Sequence, residues 1–404
     1  MTTRPHIRFL DRTTPPHIAT LILLTGLSAL TINVFLPSLP NMTAYFRTDY
    51  WVMQLSVSLY LLVNAILQIF IGPISDRFGR RPVLLWTLGL FLMATIGTLI
   101  APNAVVFLIC RMAQAVVAST MVLSRAIVRD MVPQDQAASM IGYVTMGTAI
   151  VPMVGPMIGG LLDEMFGWQS SFVLMLLAGV AILILTFRDL GETALTRATS
   201  LSDQFRQYPE LLRSPRFWGY CGASAFASGA FFAYLGGAPF LGTELFHLSP
   251  GVLGLYFGAP AAGYALGNYL SGRYSSQVGV NRMVLYGSLA NLAGLGVLMG
   301  LYAVGFVHPA LFFGLFSTIG IGNGLVLPNA SAGMLSVRPH LAGTASGLGG
   351  AMMIGGGAAL SALAGAVLTP GSGPMPLLFI MLATSVAATL CILYVIRRTR
   401  QISA

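Results

Sequence analysis

Apolar runs recur along the whole chain, and each is long enough to cross a bilayer core about 30 Å thick. Of the 404 residues, 56% are hydrophobic and only 8% are charged. A soluble domain carries about a quarter charged residues. No soluble fold of this length could hide so much apolar surface. The chain therefore reads as an all-α membrane protein.

The runs predict twelve transmembrane helices, at 17–38, 50–72, 82–100, 104–130, 139–161, 171–187, 216–241, 250–272, 282–303, 309–332, 341–367 and 375–396. Connections are short except for the polar stretch 188–215, which divides the spans six and six. The expected organisation is an N-terminal six-helix bundle over 1–187, a central loop over 188–215 and a C-terminal six-helix bundle over 216–404. The stretch after Arg4, Arg8 and Arg12 is too long for a cleaved signal and ends in Leu36-Pro37-Ser38 without a small-residue cleavage site, so it is expected to stay as the first span.

The net charge of +9 does not indicate a nucleic-acid partner, because the arginines are spread between apolar spans and form no stripe. Their distribution instead sets an orientation. With the N-terminus inside, all but Arg47 and Arg111 fall at or near the cytoplasmic face, whereas Asp49, Asp163, Glu164 and Glu244 fall on the other. The cysteines Cys110, Cys221 and Cys391 each sit within an apolar span, with no partner at metal spacing, and read as buried thiols.

The two halves echo each other. Ile74-Ser75-Asp76-Arg77 follows the second span, and Leu270-Ser271-Gly272-Arg273 follows the second span of the later half. Internal repetition of this kind is found in transporters, with the solute site between the halves.

The segment Gly72-Pro73-Ile74-Ser75-Asp76-Arg77-Phe78-Gly79-Arg80-Arg81-Pro82 is a sharp turn between two membrane helices. Gly72 admits a close backbone, Gly79 permits the tight turn, and Pro82 starts the next helix. A generic positively charged loop would explain the arginines but not the Gly, Asp and Pro spacing. This segment resembles the G-x-x-x-D-R-x-G-R-R turn of the major facilitator superfamily. The resemblance implies two six-helix bundles rocking around a central cavity. It also implies that Asp76 and Arg77 belong to a charge network closing the inner gate, with Arg129 and Asp130 as further members. Arg80, Arg81 and Arg125 complete the expected gating set.

Span five reads Gly147-Thr-Ala-Ile-Val-Pro152-Met-Val-Gly155-Pro156-Met-Ile-Gly159-Gly160. Its glycines make a smooth packing face and its prolines bend the helix. The Gly-Pro-x-x-Gly-Gly arrangement is similar to the antiporter motif of drug/proton exporters in the superfamily. Arg111-Met-Ala-Gln114-Ala115 resembles their R-x-x-Q-G pattern, with Ala115 in place of glycine. Together with Tyr234-Leu-Gly-Gly-Ala-Pro239, Leu327-Pro328-Asn329 and Gly343-Thr344-Ala345-Ser346-Gly347, the pattern resembles the bicyclomycin and chloramphenicol-resistance branch over nearly the whole chain.

Ionisable residues inside a span are costly and are functional candidates by default. Arg111, Gln114, Ala118, Val122, Arg125 and Arg129 recur at three- and four-residue steps and share one helical face, expected to line the cavity. Tyr60, Asn64 and Gln68 form a second polar stripe, which suits helix-to-helix hydrogen bonding as well as solute contact. Phe226, Phe231, Tyr234, Tyr256 and Tyr264 are aromatic candidates for a flat, amphipathic solute. Related exporters carry an aspartate a few residues before the Leu-Pro of span one, where this chain has Asn33. Asparagine keeps hydrogen bonding but cannot titrate. No carboxylate is expected deep in a span.

The expected function is secondary active efflux of small amphipathic drugs across the bacterial inner membrane, with neutral or anionic solutes favoured and protons as the expected counter-ion. A metabolite exporter on the same fold is the alternative. Asp76 or Asp130 would have to titrate in place of the missing span-one acid. The expected partners are a small-molecule substrate and the lipid bilayer, with both termini cytoplasmic, the monomer as functional unit, and neither cofactor nor metal. No nucleophile elbow, phosphate loop, metal-spaced cluster or filter sequence points to an enzyme or a channel.

Overall fold

The computed structural model describes residues 8–131, 140, 144, 151–193, 208–338, 342–369 and 371–403. Gly147 of the span-five motif and the start of that span lie outside them. The described elements are α-helices and short 3-10 turns. The first half comprises α1 (Ile18–Asn33), α2 (Leu39–Tyr45), α3 (Tyr50–Phe78), α4 (Arg80–Leu99), α5 (Ala104–Gln114), α6 (Ala118–Met131), α7 (Val151–Phe166) and α8 (Gln169–Asp189). The second comprises α9 (Tyr208–Leu212), α10 (Pro215–Glu244), α11 (Pro250–Tyr256), α12 (Gly258–Val278), α13 (Val280–Ala303), α14 (Pro309–Leu315), α15 (Ser317–Val337), α16 (Ala342–Val367) and α17 (Met375–Ser403).

Ten helices among the described residues are long and apolar enough to cross a membrane. Span five is not among them because its first part lies outside the described residues. Span eight is divided at Phe257 into α11 and α12, and α12 carries Asn268, Ser271, Arg273 and Ser275 along its length.

The ends follow from local chemistry. Asn103 starts α5 by accepting the Val106 N–H at 3.0 Å, and the His308 ring accepts the Ala310 N–H at 3.2 Å at the start of α14. Spans four and ten are each interrupted, by a 3-10 turn at Ala115–Val117 and by a break at Phe316. Gly79 (φ 99°) joins α3 to α4, and Gly279 (φ 90°) joins α12 to α13. Both donate to the carbonyl four residues back, Ser75 and Ser275, at 2.9 Å. The structural repeat therefore pairs Ser75 with Ser275, one helical turn away from the pairing with Ser271 that the short sequence echo suggested. In this register Asp76, Arg77 and Arg80 correspond to Ser276, Gln277 and Val280. The second turn keeps the shape of the first without its charges.

Helices of the first half pack on one another through α4 with α5 and α8, and α1 with α6 and α8; those of the second half do so through α10, α12 and α13 on α15, and α10 on α16 and α17. The halves meet where α3 lies along α16 and where α7 crosses α11 and α12.

Candidate functional site

The span-four arginine is enclosed. Arg111 has no exposed surface, and its guanidinium lies between two aromatic rings, 4.3 Å from the Phe35 centroid and 4.1 Å from that of Tyr60. Its Nε donates to the Ser56 carbonyl at 3.2 Å, and its terminal nitrogens donate to the Thr31 carbonyl at 2.7 Å and to Gln114 Oε1 at 2.8 Å. Gln114 in turn donates to Thr95 Oγ1 at 2.8 Å. The cation thus ties α1, α3, α4 and α5 together. Main-chain carbonyls and π faces replace water, and among the described residues no carboxylate pairs with it. The expectation that this side chain lines the cavity is corrected: Arg111 presents no surface to a solute in this conformation, because Phe35 and Tyr60 cover both its faces.

Asn33 is 5% exposed and turns its amide back to the Ala29 carbonyl at 2.7 Å. Tyr60 and Asn64 are buried, and Asn64 Oδ1 accepts from Gln68 Nε2 at 2.7 Å. That stripe bonds within itself rather than facing open space. In the second half, Tyr234 is buried among Phe257, Phe316 and Phe313, with ring centroids 5.2, 4.6 and 6.4 Å away. Tyr256 stacks on Phe313 at 5.0 Å. The structure therefore brings Tyr234 and Tyr256 into one aromatic cluster. Phe226 is exposed and Tyr264 half-buried, apart from it.

At the arginine-rich end the hub is Arg80. Its guanidinium contacts Asp76 at 2.5 Å, Asp130 Oδ2 at 3.1 Å and the Ser75 hydroxyl. Its main-chain N–H donates to Glu192 Oε1 at 2.9 Å. Gly79 is required on two counts: its φ is positive, and a Cβ there would sit 2.3 Å from Glu192 Oε2. Arg77, expected in the charge network with Asp76, is exposed and lies over the Phe78 ring at 5.5 Å; the turn at Gly79 brings Arg80, at the start of α4, against Asp76. Arg81 donates to the Phe187 carbonyl at 3.2 Å and lies over that ring. Arg125 is exposed in the half of α6 nearer the Arg80 cluster, and the Arg129 side chain lies outside the described residues. A Cβ at Gly72 would meet nothing within 4 Å, so no backbone approaches that glycine here. Sequence reasoning missed Glu192 and Ser75. It also missed Asp189, which is fully buried and accepts the Leu10 and His17 N–H groups at 2.7 and 2.9 Å and the Thr20 hydroxyl at 2.6 Å. An acid two residues before a Gly-x-Thr loop carries no signal of such a role.

The far end is where the halves lock. The Tyr50 hydroxyl donates to the Gly236 carbonyl at 2.8 Å, and Gln54 Nε2 donates to the Ser361 carbonyl and hydroxyl at 2.7 and 2.8 Å. Glu164 Oε1 accepts the Gly251 N–H at 3.0 Å. The span-five glycines let neighbouring backbones come close, Gly159 within the first half and Gly160 across the interface. A Cβ at Gly159 would fall 1.6 Å from the Val34 carbonyl oxygen, and one at Gly160 would fall 2.1 Å from that of Pro250. The carbonyl of Pro156 lies 2.4 Å from where a Cβ on Gly254 would be. Gly155 faces Asn33 at an ordinary 3.7 Å, and Pro152 is half-buried near the start of α7. Asp163, expected in an outer loop, is instead on α7 and only 5% exposed, because α2 folds back over it and Asn41 Nδ2 reaches Oδ2 at 2.9 Å.

A model of the Major Facilitator Superfamily matches residues 21–362. The chain is 30% identical to a chloramphenicol resistance protein of Pseudomonas aeruginosa, over 83% of this chain and 82% of that one. It is 26% identical to a bicyclomycin resistance protein homolog of Haemophilus influenzae, over 94% and 96%. Its fold matches the human organic anion transporter MFSD10 with a TM-score of 0.69 at 19% identity, covering 94% of this chain and 98% of that one. With its apolar spans, its Gly79 and Gly279 turns and its two interlocked halves, the chain belongs to the major facilitator superfamily and is a transporter rather than an enzyme.

Proposed function

We propose that this transporter exports small amphipathic drugs of amphenicol- or bicyclomycin-like character by alternating access, with protons as the counter-ion. The observation that carries the reading is the lock at one end of the interface. The bonds that Tyr50, Gln54 and Glu164 make across the interface all lie at the end away from the Arg80 cluster. Taking the arginine-rich end as cytoplasmic, this is a carrier shut toward the outside. The names of the two resistance proteins support a drug as the cargo. Neutral or anionic solutes are favoured because Arg111 is a buried cation without a paired acid, and Coulomb repulsion in a low-dielectric interior disfavours a second cation.

The test is a susceptibility panel in a pump-deficient bacterial host. Resistance to neutral amphenicols without resistance to ethidium-like cations is expected. The opposite pattern would overturn the charge preference, and export of a metabolite with no drug would replace the drug reading. Inverted vesicles test the counter-ion: uptake that ignores an imposed pH gradient would remove antiport.

A further inference from the structure

We propose that Asp163 is a proton-binding site whose occupancy holds the outer lock closed. This goes beyond the export reading and rests only on the two-bundle fold. Asp163 sits in the last turn of α7 and is 5% exposed. One carboxyl oxygen, Oδ2, accepts from Asn41 on α2. The other, Oδ1, is buried without a hydrogen-bond partner. The Ser38 hydroxyl lies beside the carboxyl, close enough to interact with it, but makes no well-formed hydrogen bond to it. Among the described residues its charged neighbour is Glu164, the next residue in the chain, and no arginine or histidine pairs with either acid. The groups α2 and the Leu36–Ser38 turn present to it, Asn41 and Ser38, are uncharged.

A carboxylate held this way is a costly anion, since burial strips its water and the Asn41 amide and the nearby Ser38 hydroxyl replace only part of it. A proton on Oδ1 turns an orphaned acceptor into a donor, with Ser38 Oγ as an acceptor at hand. It also removes the like charge beside Glu164, whose Oε1 accepts the Gly251 N–H of the other bundle. Opening the lock would change this environment. The Leu36–Ser38 turn packs against α10 and α11, and α2 against α10, so separating the bundles lets water reach the carboxyl.

The sign follows. The closed form binds the proton more tightly than the open form, so acid favours closure and alkali favours opening. A carrier open to the outside would thus take up a proton there and close over it. The site also supplies an acid that Asn33 in span one cannot.

The experiment uses the purified full chain in nanodiscs, with the native cysteines replaced and spin labels at Ala44→Cys and Val252→Cys, on exposed positions of opposite halves. Between about pH 5 and about pH 8 the ratio of long to short label distances should rise at least about fivefold. Asp163→Asn should hold the short distance at every pH. Glu164→Gln should lengthen it at every pH while keeping the pH response. Infrared spectra should show a protonated-carboxyl stretch in the parent at acid pH that Asp163→Asn lacks. Should Asp163→Asn fail to fold, Asp163→Glu should shift the midpoint of the pH response. A parent whose distances ignore pH, an Asp163→Asn variant that still responds, an unshifted Asp163→Glu, or the absence of that infrared band would overturn the proposal. No drug is present, so failure of the export reading leaves this result untouched.

Discussion

Gly159 of α7 rests on the carbonyl of Val34, so closely that a β-carbon on the glycine would sit 1.6 Å from the oxygen. This contact is within the first half, joining α7 to the chain just after α1. Its neighbour Gly160 makes the equivalent contact to Pro250 in the other half. One glycine therefore serves the integrity of a bundle and the next serves the lock between bundles.

Gly159→Ala is expected to destabilise the protein by about 1–3 kcal/mol, the usual cost of overpacking, because backbone cannot move aside as a side-chain tip can. Gly155→Ala should stay within about 0.5 kcal/mol, since its Cβ would meet only ordinary contacts. Thermal unfolding in detergent checks both, and equal losses would contradict the geometry.

Gly160→Ala should act differently. Its clash lies across the interface, so it should open the outer lock with little loss of thermal stability. The measurement is alkylation of a single cysteine placed at the lock, expected to be faster in the variant than in the parent.

Arg111→Lys is expected to abolish transport and to destabilise the first bundle by about 1–3 kcal/mol. Lysine offers a point charge where the site is a planar fork between Phe35 and Tyr60. Phe35→Leu should cost less, since the carbonyl bonds of Thr31 and Ser56 remain. Stability and transport measured together check the order.

Arg80→Gln should impair transport far more than Arg77→Gln, because Arg80 joins Asp76, Asp130 and, through its main chain, Glu192. A double-mutant cycle of Arg80→Gln with Asp130→Asn should give a coupling of about 0.5–1 kcal/mol, near the upper range for a partly exposed pair. Greater damage from Arg77→Gln would contradict Arg80 as the hub.

Much of the fold was legible in the sequence. Among the described residues the predicted spans fall on observed helices, because an apolar run of the right length has one stable conformation in a bilayer. The Gly72–Pro82 turn and the span-five glycines were legible for a related reason. A positive φ at Gly79 and a bare backbone at Gly159 and Gly160 leave little choice of residue. The sites were read less well. Helical spacing placed Arg111, Gln114 and Arg125 on one face, but it could not say what that face meets. Phe35 and Tyr60 come from other helices to enclose Arg111, while Arg125 is exposed. The four-residue echo at 270–273 misplaced the repeat by one turn, because four residues keep the same helical face and a short match cannot tell one turn from the next.

The sequence by itself determined that this chain spans a membrane as helices, where most of those helices begin, and which glycines must stay bare. These follow from hydropathy and backbone sterics, which act locally. Only the tertiary structure decided which acids and bases meet. Arg80 rather than Arg77 became the hub, Glu192 and Asp189 were drawn into packed positions, and Asp163 passed from a presumed loop to a buried, half-satisfied carboxyl beneath α2. The cost of a buried charge depends on every group around it, and those groups come together only when the helices pack. That packing sets the Val34 carbonyl against Gly159, one helical turn from Asp163.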